Sequence, residues 1–201
     1  MLTGREWRQN FNLDGLLYAF GNIWRLPSLL RPRLVVKDIS SITLCMLRDD
    51  LKLKGIVFDK DNCLTIPYQD SVDQRVEERV REIAHHFECI IVSNGAGGPD
   101  DFATEPRVRY HWHPHFITPS QGCRKLDSNV LEACLWRGYQ SSIRPDEIAI
   151  IGDRLFTDIF MANYSGMVGI LTHPLNGGED PLSVKLVRQL EAFFLKFLSK
   201  V

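Results

Sequence analysis

The stretch Gly55-Ile-Val-Phe-Asp-Lys-Asp-Asn62 decides the fold of this 201-residue chain. An uninterrupted apolar run over 55–58 ends at two acidic residues, Asp59 and Asp61. Such a run is typical of a buried strand in a parallel sheet, because helices cover both of its faces. Open sheets of this kind bind ligands outside the carboxyl ends of their strands. We therefore predict a buried parallel strand with a functional site where it ends.

Three further segments repeat this pattern. Apolar runs over 90–92, 148–151 and 167–171 each end at a polar loop, which begins with Ser93, Gly152 or Thr172. Segments with helical spacing of apolar residues alternate with these runs, over 73–87, 128–137, 156–164 and 183–198. Strands that alternate with helices indicate βαβ units. The sequence predicts an α/β fold, an open Rossmann-like parallel sheet with helices on both faces.

The composition excludes several classes of protein. With 44% hydrophobic residues, 24% charged residues and a net charge of -1, the chain is an ordinary globular protein without the basic field of a nucleic-acid binder. Its five cysteines are odd in number and follow no metal-binding spacing, which indicates reduced thiols rather than disulfides. No apolar run is long enough to predict a membrane-spanning helix.

The two ends of the chain carry the remaining apolar helical patterns. Residues 1–37 contain six basic and two acidic residues, and a helix over 11–24, ended by Pro27, would have an apolar face. We predict an amphipathic, membrane-facing segment at 1–37 before a domain at 38–201, although the same face could pack on that domain. Leu186, Leu190, Phe193, Phe194 and Phe197 are expected to be core residues of the last helix.

Four acidic residues are candidate metal ligands: Asp59, Asp61, Asp153 and Asp158. Crowded carboxylates repel one another unless a cation lies between them. Ligands that are all oxygen atoms favour Mg²⁺. Alternatively, Asp59 to Asn62 is only a turn, and Thr157 with Asp158 only caps a helix. A cap does not explain Asp153.

Other polar residues at strand ends are candidates for binding phosphate. Ser93 and Asn94 precede Gly95, and a hydroxyl with free backbone N–H groups at such a turn suits a phosphate oxygen. Lys125 could supply a positive charge beside a carboxylate nucleophile. The alternatives are an ordinary turn and a solvated surface lysine.

The order of these motifs along the chain resembles the haloacid-dehalogenase superfamily of phosphatases. Asp-x-Asp, Ser-Asn, a lysine and Gly-Asp-x-x-x-x-Asp follow one another over about 53–172. By that resemblance Asp59 attacks phosphorus to give an aspartyl-phosphate, and Asp61 is the general acid and base. Ser93, Asn94 and Lys125 would bind phosphoryl oxygens.

The same resemblance implies a Mg²⁺ site and an open crevice. Asp153 and Asp158 would bind the ion together with Asp59 and Asp61. The stretches between Asp59 and the next helix and over 95–124 are too short to fold a large lid, so we predict a capless enzyme. Near the rim of that crevice the sequence places His111, Trp112, His113 and His115, which either meet a head group or belong to a surface loop.

A closer resemblance is to the phosphatidylglycerophosphate (PGP) phosphatases of the mitochondrial, plastid and YqeG-like branch. It is carried by 59–62, by 152–163 and by the lead-in over 26–32. The family implies hydrolysis of PGP to phosphatidylglycerol, a cardiolipin precursor, by an enzyme peripheral to the matrix side of the mitochondrial inner membrane. Its partner would be a phospholipid at an anionic membrane surface. Two residues depart from the superfamily pattern: Cys63 replaces the usual Thr, and Leu126 replaces the Pro that follows the lysine.

Two other functions are compatible with these residues. The same chemistry could act on a soluble phosphomonoester, such as a nucleotide or a sugar phosphate. A phosphatase-like scaffold without activity could instead bind lipid, but Asp59, Asp61 and Asp153 argue for catalysis.

Overall fold

The computed structural model describes residues 26–67, 69, 71–92, 115–117, 143–176 and 182–198. Six strands form one sheet: β1 Leu34–Val36, β2 Gly55–Asp59, β3 Glu88–Val92, β4 His115–Ile117, β5 Ile148–Gly152 and β6 Val168–Thr172. The α-helices of the described residues are α1 Leu26–Leu29, α2 Gln74–His86, α3 Phe160–Tyr164 and α4 Leu182–Leu198. Short 3₁₀ turns at Ile39–Ser41 and Pro145–Glu147 and π-helical turns at Met46–Asp50 and Leu155–Ile159 complete these elements.

The strand order is β1-β6-β5-β2-β3-β4, and every neighbouring pair is parallel. From β2 the chain proceeds outward to β3 and β4, and then returns to the other side of β2 as β5. The carboxyl ends of β2 and β5 therefore flank the point where the strand order reverses, which is where open α/β sheets form their ligand crevice. The predicted open parallel sheet is confirmed.

The central strands are apolar along their whole length because both faces of the sheet are covered. Ile56 and Phe58 of β2 pack in a core with α2, while Val57 packs in a second core with α3. Every residue of β2 and β5 is buried. Helices therefore lie on both faces, as the sequence predicted.

Helix α2 begins where the sequence placed it. Asp73 is its N-cap, and the Asp73 side chain accepts a hydrogen bond of 2.9 Å from the Arg75 N–H. Burial of Val76, Val80 and Ile83 fixes one face of α2 on the sheet. Few residues separate β2 from α2, and the described part of this connection folds as turns close to the sheet.

Pro27 and His115 both lie in short elements of the structure. Pro27 lies within α1, and the helix over 11–24 that it was predicted to end lies outside the described residues. His115 begins the edge strand β4, which was not predicted because three residues carry too short a pattern. His115 pairs with Ile90, two residues before the end of β3, so it does not lie at the end of the strand.

Helix α4 contradicts the expected core residues most clearly. Four of the five apolar residues assigned to its buried face are exposed: Leu186, Leu190, Phe193 and Phe197. The fifth, Phe194, is half-buried against α1 and α3. The buried positions are instead Val184, Glu191 and Leu198.

No helix within the described ranges has both the length and the apolar character needed to cross a bilayer. The predicted helices over 11–24 and 128–137 lie outside the described residues. The described part of the 1–37 segment is folded against the sheet, since β1 pairs with β6 and Leu29 and Leu30 join the core of α3 and α4.

Candidate metal and catalytic site

Three aspartates converge at the carboxyl edge of the sheet. Asp59, Asp153 and Asp158 each offer a carboxylate oxygen, and the three oxygens lie within 4.8 Å of one another. All three residues are buried, with exposed fractions of 6%, 5% and 0%. Three buried carboxylates in such close contact form a strongly negative centre that a divalent cation would neutralise.

The sheet itself brings the first two carboxylates together. Asp59 is the last residue of β2, and Asp153 follows the last residue of β5. The two strands are neighbours in the sheet, with Phe58 opposite Ile151. The acidic ends of β2 and β5 therefore meet at the point where the strand order reverses.

A π-helical turn after β5 supplies the third carboxylate. Asp158 Oδ2 accepts a hydrogen bond of 3.0 Å from the Arg154 N–H, and Oδ1 accepts one of 3.2 Å from the Thr157 hydroxyl. Asp158 thus bonds to the backbone at the start of the turn and also faces Asp59 and Asp153. A Cβ atom at Gly152 would overlap the Asp158 carboxylate, so a glycine is required there.

The electrostatics of Asp153 fit a bound cation. Burial raises the pKa of the Asp153 carboxyl, Arg188 opposes that rise, and the charge of Asp158 adds to it. Asp153 Oδ2 accepts a charged hydrogen bond of 2.6 Å from Arg188 Nη2, whereas buried Oδ1 has no hydrogen-bond partner. An ionised oxygen without a partner is costly in a protein interior. The donor set is all oxygen, so the site fits Mg²⁺.

Sequence reasoning missed two residues of α4 that support this site. Arg188 forms an ion pair with Asp153 and also reaches the Asp153 carbonyl at 3.5 Å. Glu191 Oε1 accepts a hydrogen bond of 3.0 Å from the Phe156 N–H, and burial is the main cause that raises its pKa to about 7. Both residues lie 35 positions from their partners, and no local motif marks them. The sequence feature that could have identified them is the presence of two charged residues, Arg188 and Glu191, between apolar residues of the last helix.

The turn after Asp59 orders the loops around the site. Asp61 is half-buried and is not part of the three-carboxylate cluster. Asn62 is buried and adopts a left-handed conformation with φ 62°, which Asn tolerates better than most residues. Its carbonyl accepts from the Leu175 N–H at 2.9 Å, so the loops after β2 and β6 are joined.

Cys63, the departure from the usual Thr, is a neutral buried thiol. Its Sγ donates to the Ile151 carbonyl at 3.5 Å and lies 3.9 Å from the Thr172 hydroxyl that donates to it. Burial, and then the charges of the three aspartates, raise the pKa of Cys63 well above its usual value. The thiol therefore stays protonated and makes its hydrogen bonds beside β5.

The predicted phosphate-binding residues Ser93, Asn94 and Lys125 lie outside the described residues, as do His111, Trp112 and His113. The last described residue of β3, Val92, is the register partner of Asp59.

Two surface cavities lie at the opposite edge of the sheet. A cavity of about 490 Å³ is bordered by Lys54 and Glu88, at the amino ends of β2 and β3. Another, of about 540 Å³, is bordered by Arg33 and Val168, at the amino ends of β1 and β6. Neither is lined by a carboxylate of the cluster, so the chemistry of the side chains, rather than cavity size, identifies the candidate site.

Comparison with known proteins gives consistent matches. The profile of the family described as mitochondrial PGP phosphatase matches residues 13–176. The chain is 31% identical to phosphatidylglycerophosphate phosphatase 1, chloroplastic/mitochondrial, of Arabidopsis thaliana, over 94% of this chain and 53% of that protein. The chain thus spans about half the length of that relative.

Two further matches come from yeast and from a solved structure. Phosphatidylglycerophosphatase GEP4, mitochondrial, of Saccharomyces cerevisiae is 31% identical over 79% of this chain and 85% of that protein. The core domain of a putative phosphoglycolate phosphatase from Streptococcus pneumoniae TIGR4 superimposes with a TM-score of 0.41 at 17% identity, covering 69% of this chain and 96% of that domain. The family profile covers most of the sequence, and the relatives agree with it. The chain belongs to the mitochondrial PGP phosphatase family.

Proposed function

We propose that this chain hydrolyses the terminal phosphomonoester of PGP, giving phosphatidylglycerol and inorganic phosphate, in a Mg²⁺-dependent reaction. The observation that carries the proposal is the cluster of three buried carboxylates between the ends of β2 and β5, in a chain of this family. The Arabidopsis and yeast relatives are named for the same activity.

In the first step Asp59 is the nucleophile. A carboxylate oxygen of Asp59 attacks phosphorus, the bond between phosphorus and the ester oxygen breaks, and the phosphoryl group is carried as an acyl phosphate on Asp59. Asp61 donates its proton to the leaving alkoxide of the glycerol, which departs as phosphatidylglycerol. The position of Asp61 supports this role, because a half-buried acid two residues from the nucleophile keeps access to solvent.

In the second step water regenerates the enzyme. Asp61, now ionised, accepts a proton from a water molecule that attacks phosphorus, and the bond to the Asp59 oxygen breaks. Phosphate leaves and Asp59 is again a free carboxylate. The same side chain thus serves as acid and then as base, and the reaction is balanced without any co-reactant other than water.

Mg²⁺ bound at this site would offset the negative charge of the nucleophile and of the phosphoryl group. Asp59, Asp153 and Asp158 would hold the ion; Asp61, also predicted as a ligand, lies outside their cluster and is assigned the proton transfers instead. The partnerless Asp153 Oδ1 supports this assignment. Arg188 neutralises only one of the clustered charges, and its bond to Oδ2 leaves Oδ1 available.

Ser93, Asn94 and Lys125 are proposed to bind the phosphoryl oxygens. Ser93 follows Val92 directly, and Val92 is the register partner of Asp59, so chain connectivity supports a position close to the nucleophile. The proposal for Lys125 depends on the family resemblance and on the need for a cation beside the transferred group.

The proposed location is the matrix side of the mitochondrial inner membrane, with the protein peripheral to it. The yeast relative is named as mitochondrial. The 1–37 segment, with its excess of basic residues, is proposed to face the anionic surface, while its described part, 26–37, is also packed against the sheet. Fractionation of mitochondria followed by carbonate extraction tests this: the protein should be released by carbonate and protected from protease in intact mitoplasts.

The activity is tested by phosphate release from PGP in mixed micelles, with Mg²⁺ and then with EDTA. We expect turnover that EDTA abolishes and Mg²⁺ restores. Glycerol 3-phosphate and a nucleoside monophosphate are tested in parallel as soluble substrates. A much higher kcat/KM on either soluble ester than on PGP would refute the lipid substrate and favour the alternative phosphomonoesterase.

Asp59→Asn tests the nucleophile, because the amide keeps the shape of the side chain but cannot attack phosphorus. We expect kcat to fall by about a thousandfold or more. Asp50→Asn is the matched control, since Asp50 is exposed and lies outside the cluster. Unchanged turnover in Asp59→Asn would rule out the aspartyl-phosphate route and leave the inactive lipid-binding scaffold, or another nucleophile, to be considered.

A further inference from the structure

The outer face of α4 carries a row of large apolar side chains. Leu186 is 64% exposed, Leu190 48%, Phe193 66% and Phe197 56%. These residues are spaced alternately four and three positions apart, so they form a single stripe along the helix. We call these four residues the α4 stripe. Large apolar side chains in a contiguous exposed row indicate an interaction surface.

The opposite side of α4 anchors the helix to the domain. Val184 and Leu198 are buried near its two ends, and Glu191 is bonded to the Phe156 N–H between them. Arg188 forms its ion pair with Asp153 from the same side. Because these contacts fix the rotation of the helix, the α4 stripe is held outward and does not belong to the core.

The charges of α4 favour an anionic partner. Its exposed charged residues are Lys185 and Lys196, and its one acidic residue, Glu191, is only 7% exposed. A helix with Leu and Phe on its outer stripe and lysines beside it has the character of a helix that lies in a lipid interface. Each lysine near an anionic bilayer adds electrostatic attraction.

A second copy of the chain is a less suitable partner. Two copies of α4 packed along their stripes would bring lysines from both helices to the same seam. No exposed acidic residue of α4 would face Lys185 across such a contact. Like charges across such a contact are unfavourable, whereas an anionic lipid surface offers the complementary charge.

We infer that the α4 stripe is a surface, besides the 1–37 segment, by which this chain contacts an anionic lipid bilayer, and that this contact brings the carboxylate cluster close to the head groups. The inference rests on the proposed lipid substrate. Arg188 reaches from α4 to Asp153. The distance from the lipid-facing side of α4 to the cluster is therefore the diameter of the helix, roughly 10 Å, plus the length of one arginine side chain. A substrate that stays in the bilayer could therefore present its head group to the crevice.

Vesicle binding by the full-length chain tests this inference without using catalysis. The protein is sedimented with vesicles of phosphatidylcholine and phosphatidylserine, and with vesicles of phosphatidylcholine alone. We expect stronger binding to the anionic vesicles. Combining Phe193→Ser with Phe197→Ser should weaken that binding by about tenfold or more, because two large side chains no longer enter the interface.

Two further variants separate the contribution of charge from that of the apolar side chains. Lys185→Gln should weaken binding to anionic vesicles by about fivefold, and by much less at high salt. Val35→Ser combined with Tyr164→Ser is the matched control: both residues are comparably exposed apolar side chains outside α4, at 44% and 45%. The control should bind vesicles as the unaltered chain does.

Several outcomes would overturn the inference. They are the absence of vesicle binding by the unaltered chain, equal binding by the stripe variant, and an equal loss in the control. A dimer in lipid-free solution that the stripe variant abolishes would identify a second copy as the partner instead. Failure of the proposed function is a distinct result: PGP in mixed micelles would not be hydrolysed, whatever the vesicle binding. The stripe variant should keep its turnover on a soluble phosphomonoester, which shows that the fold and the site are intact.

Discussion

The two faces of α4 differ in an unusual way: the inner face includes two charged residues, and the outer face carries a row of large apolar ones. The inner face carries Arg188 and Glu191, both directed at the segment that follows β5, while the outer face carries the α4 stripe. In an ordinary surface helix the apolar stripe faces the core and charged residues face solvent. The inner face of α4 instead serves the buried carboxylates, and its outer face is available for contact with another surface. A difference in function between the two faces accounts for this arrangement better than packing alone.

Arg188→Met should give the largest effect on the inner face. It leaves the Asp153 charge buried without its partner, which costs about 3 kcal/mol or more in the free energy of unfolding. The loss should be greatest in EDTA and smaller with Mg²⁺, because a cation beside Asp153 replaces part of the missing charge. By the same linkage, Mg²⁺ should bind the variant at least as tightly as the unaltered chain, which titration calorimetry measures.

Arg81→Met is the control for Arg188→Met. Arg81 forms an ion pair of 2.7 Å with Glu77 on the surface of α2, and its side chain is 55% exposed. A pair of this kind contributes about 0–1 kcal/mol, without dependence on Mg²⁺. If both arginine variants lost the same stability, and neither responded to Mg²⁺, the special role of the inner face would be wrong.

Glu191→Gln should give the next largest effect, which is a change in how the free energy of unfolding depends on pH. Burial raises the pKa of Glu191 from 4.5 to about 7, so the folded state holds a proton that the unfolded state releases. The associated stability is present below pH 4.5 and is lost as pH rises through about 7, a change of about 3 kcal/mol. Gln stays neutral and can still accept from the Phe156 N–H.

The measurement for Glu191→Gln is denaturant unfolding in EDTA across this pH range. The variant should be more stable than the unaltered chain at pH 8 and should lose less stability between pH 4.5 and 8. Parallel curves for the two proteins would show that Glu191 is not buried in the folded state as described.

Phe193→Ser should give the smallest effect on stability. Phe193 is 66% exposed, and we expect a change below about 0.5 kcal/mol in the free energy of unfolding. Leu198→Ala on the same helix is the comparison: Leu198 is 6% exposed, and its truncation should cost about 2–4 kcal/mol. Thermal or denaturant unfolding measures both. A large loss in Phe193→Ser would mean that the stripe packs within the protein.

Local patterns predicted the elements of the sheet well. The continuous apolar runs identified four of the strands, and the helical spacing that begins at residue 73 marked the start of α2. The three-residue strand β4 was missed because so short a segment carries no periodic signal. The orientation of α4 was wrong for a different reason. An apolar stripe predicts that one side of a helix meets an apolar environment, but it does not say whether that environment is the core.

The residues of the candidate site also differ in whether the local sequence predicts them. Asp59 and Asp153 were recognisable because each directly follows a buried run of apolar residues. Arg188 and Glu191 were not, because their partners lie 35 positions away in the chain. An ion pair across that distance depends on where the last helix packs, which no local motif specifies.

The sequence by itself determined where strands and helices form and which polar residues end the strands, because hydrophobic periodicity and capping act between near neighbours in the chain. Only the tertiary structure decided that β5 lies beside β2, so that Asp59 and Asp153 meet. It likewise decided that α4 directs Arg188 and Glu191 inward. These outcomes depend on the pairing and packing of distant segments. The free energy of burying three carboxylates together is a property of that arrangement and not of any single segment.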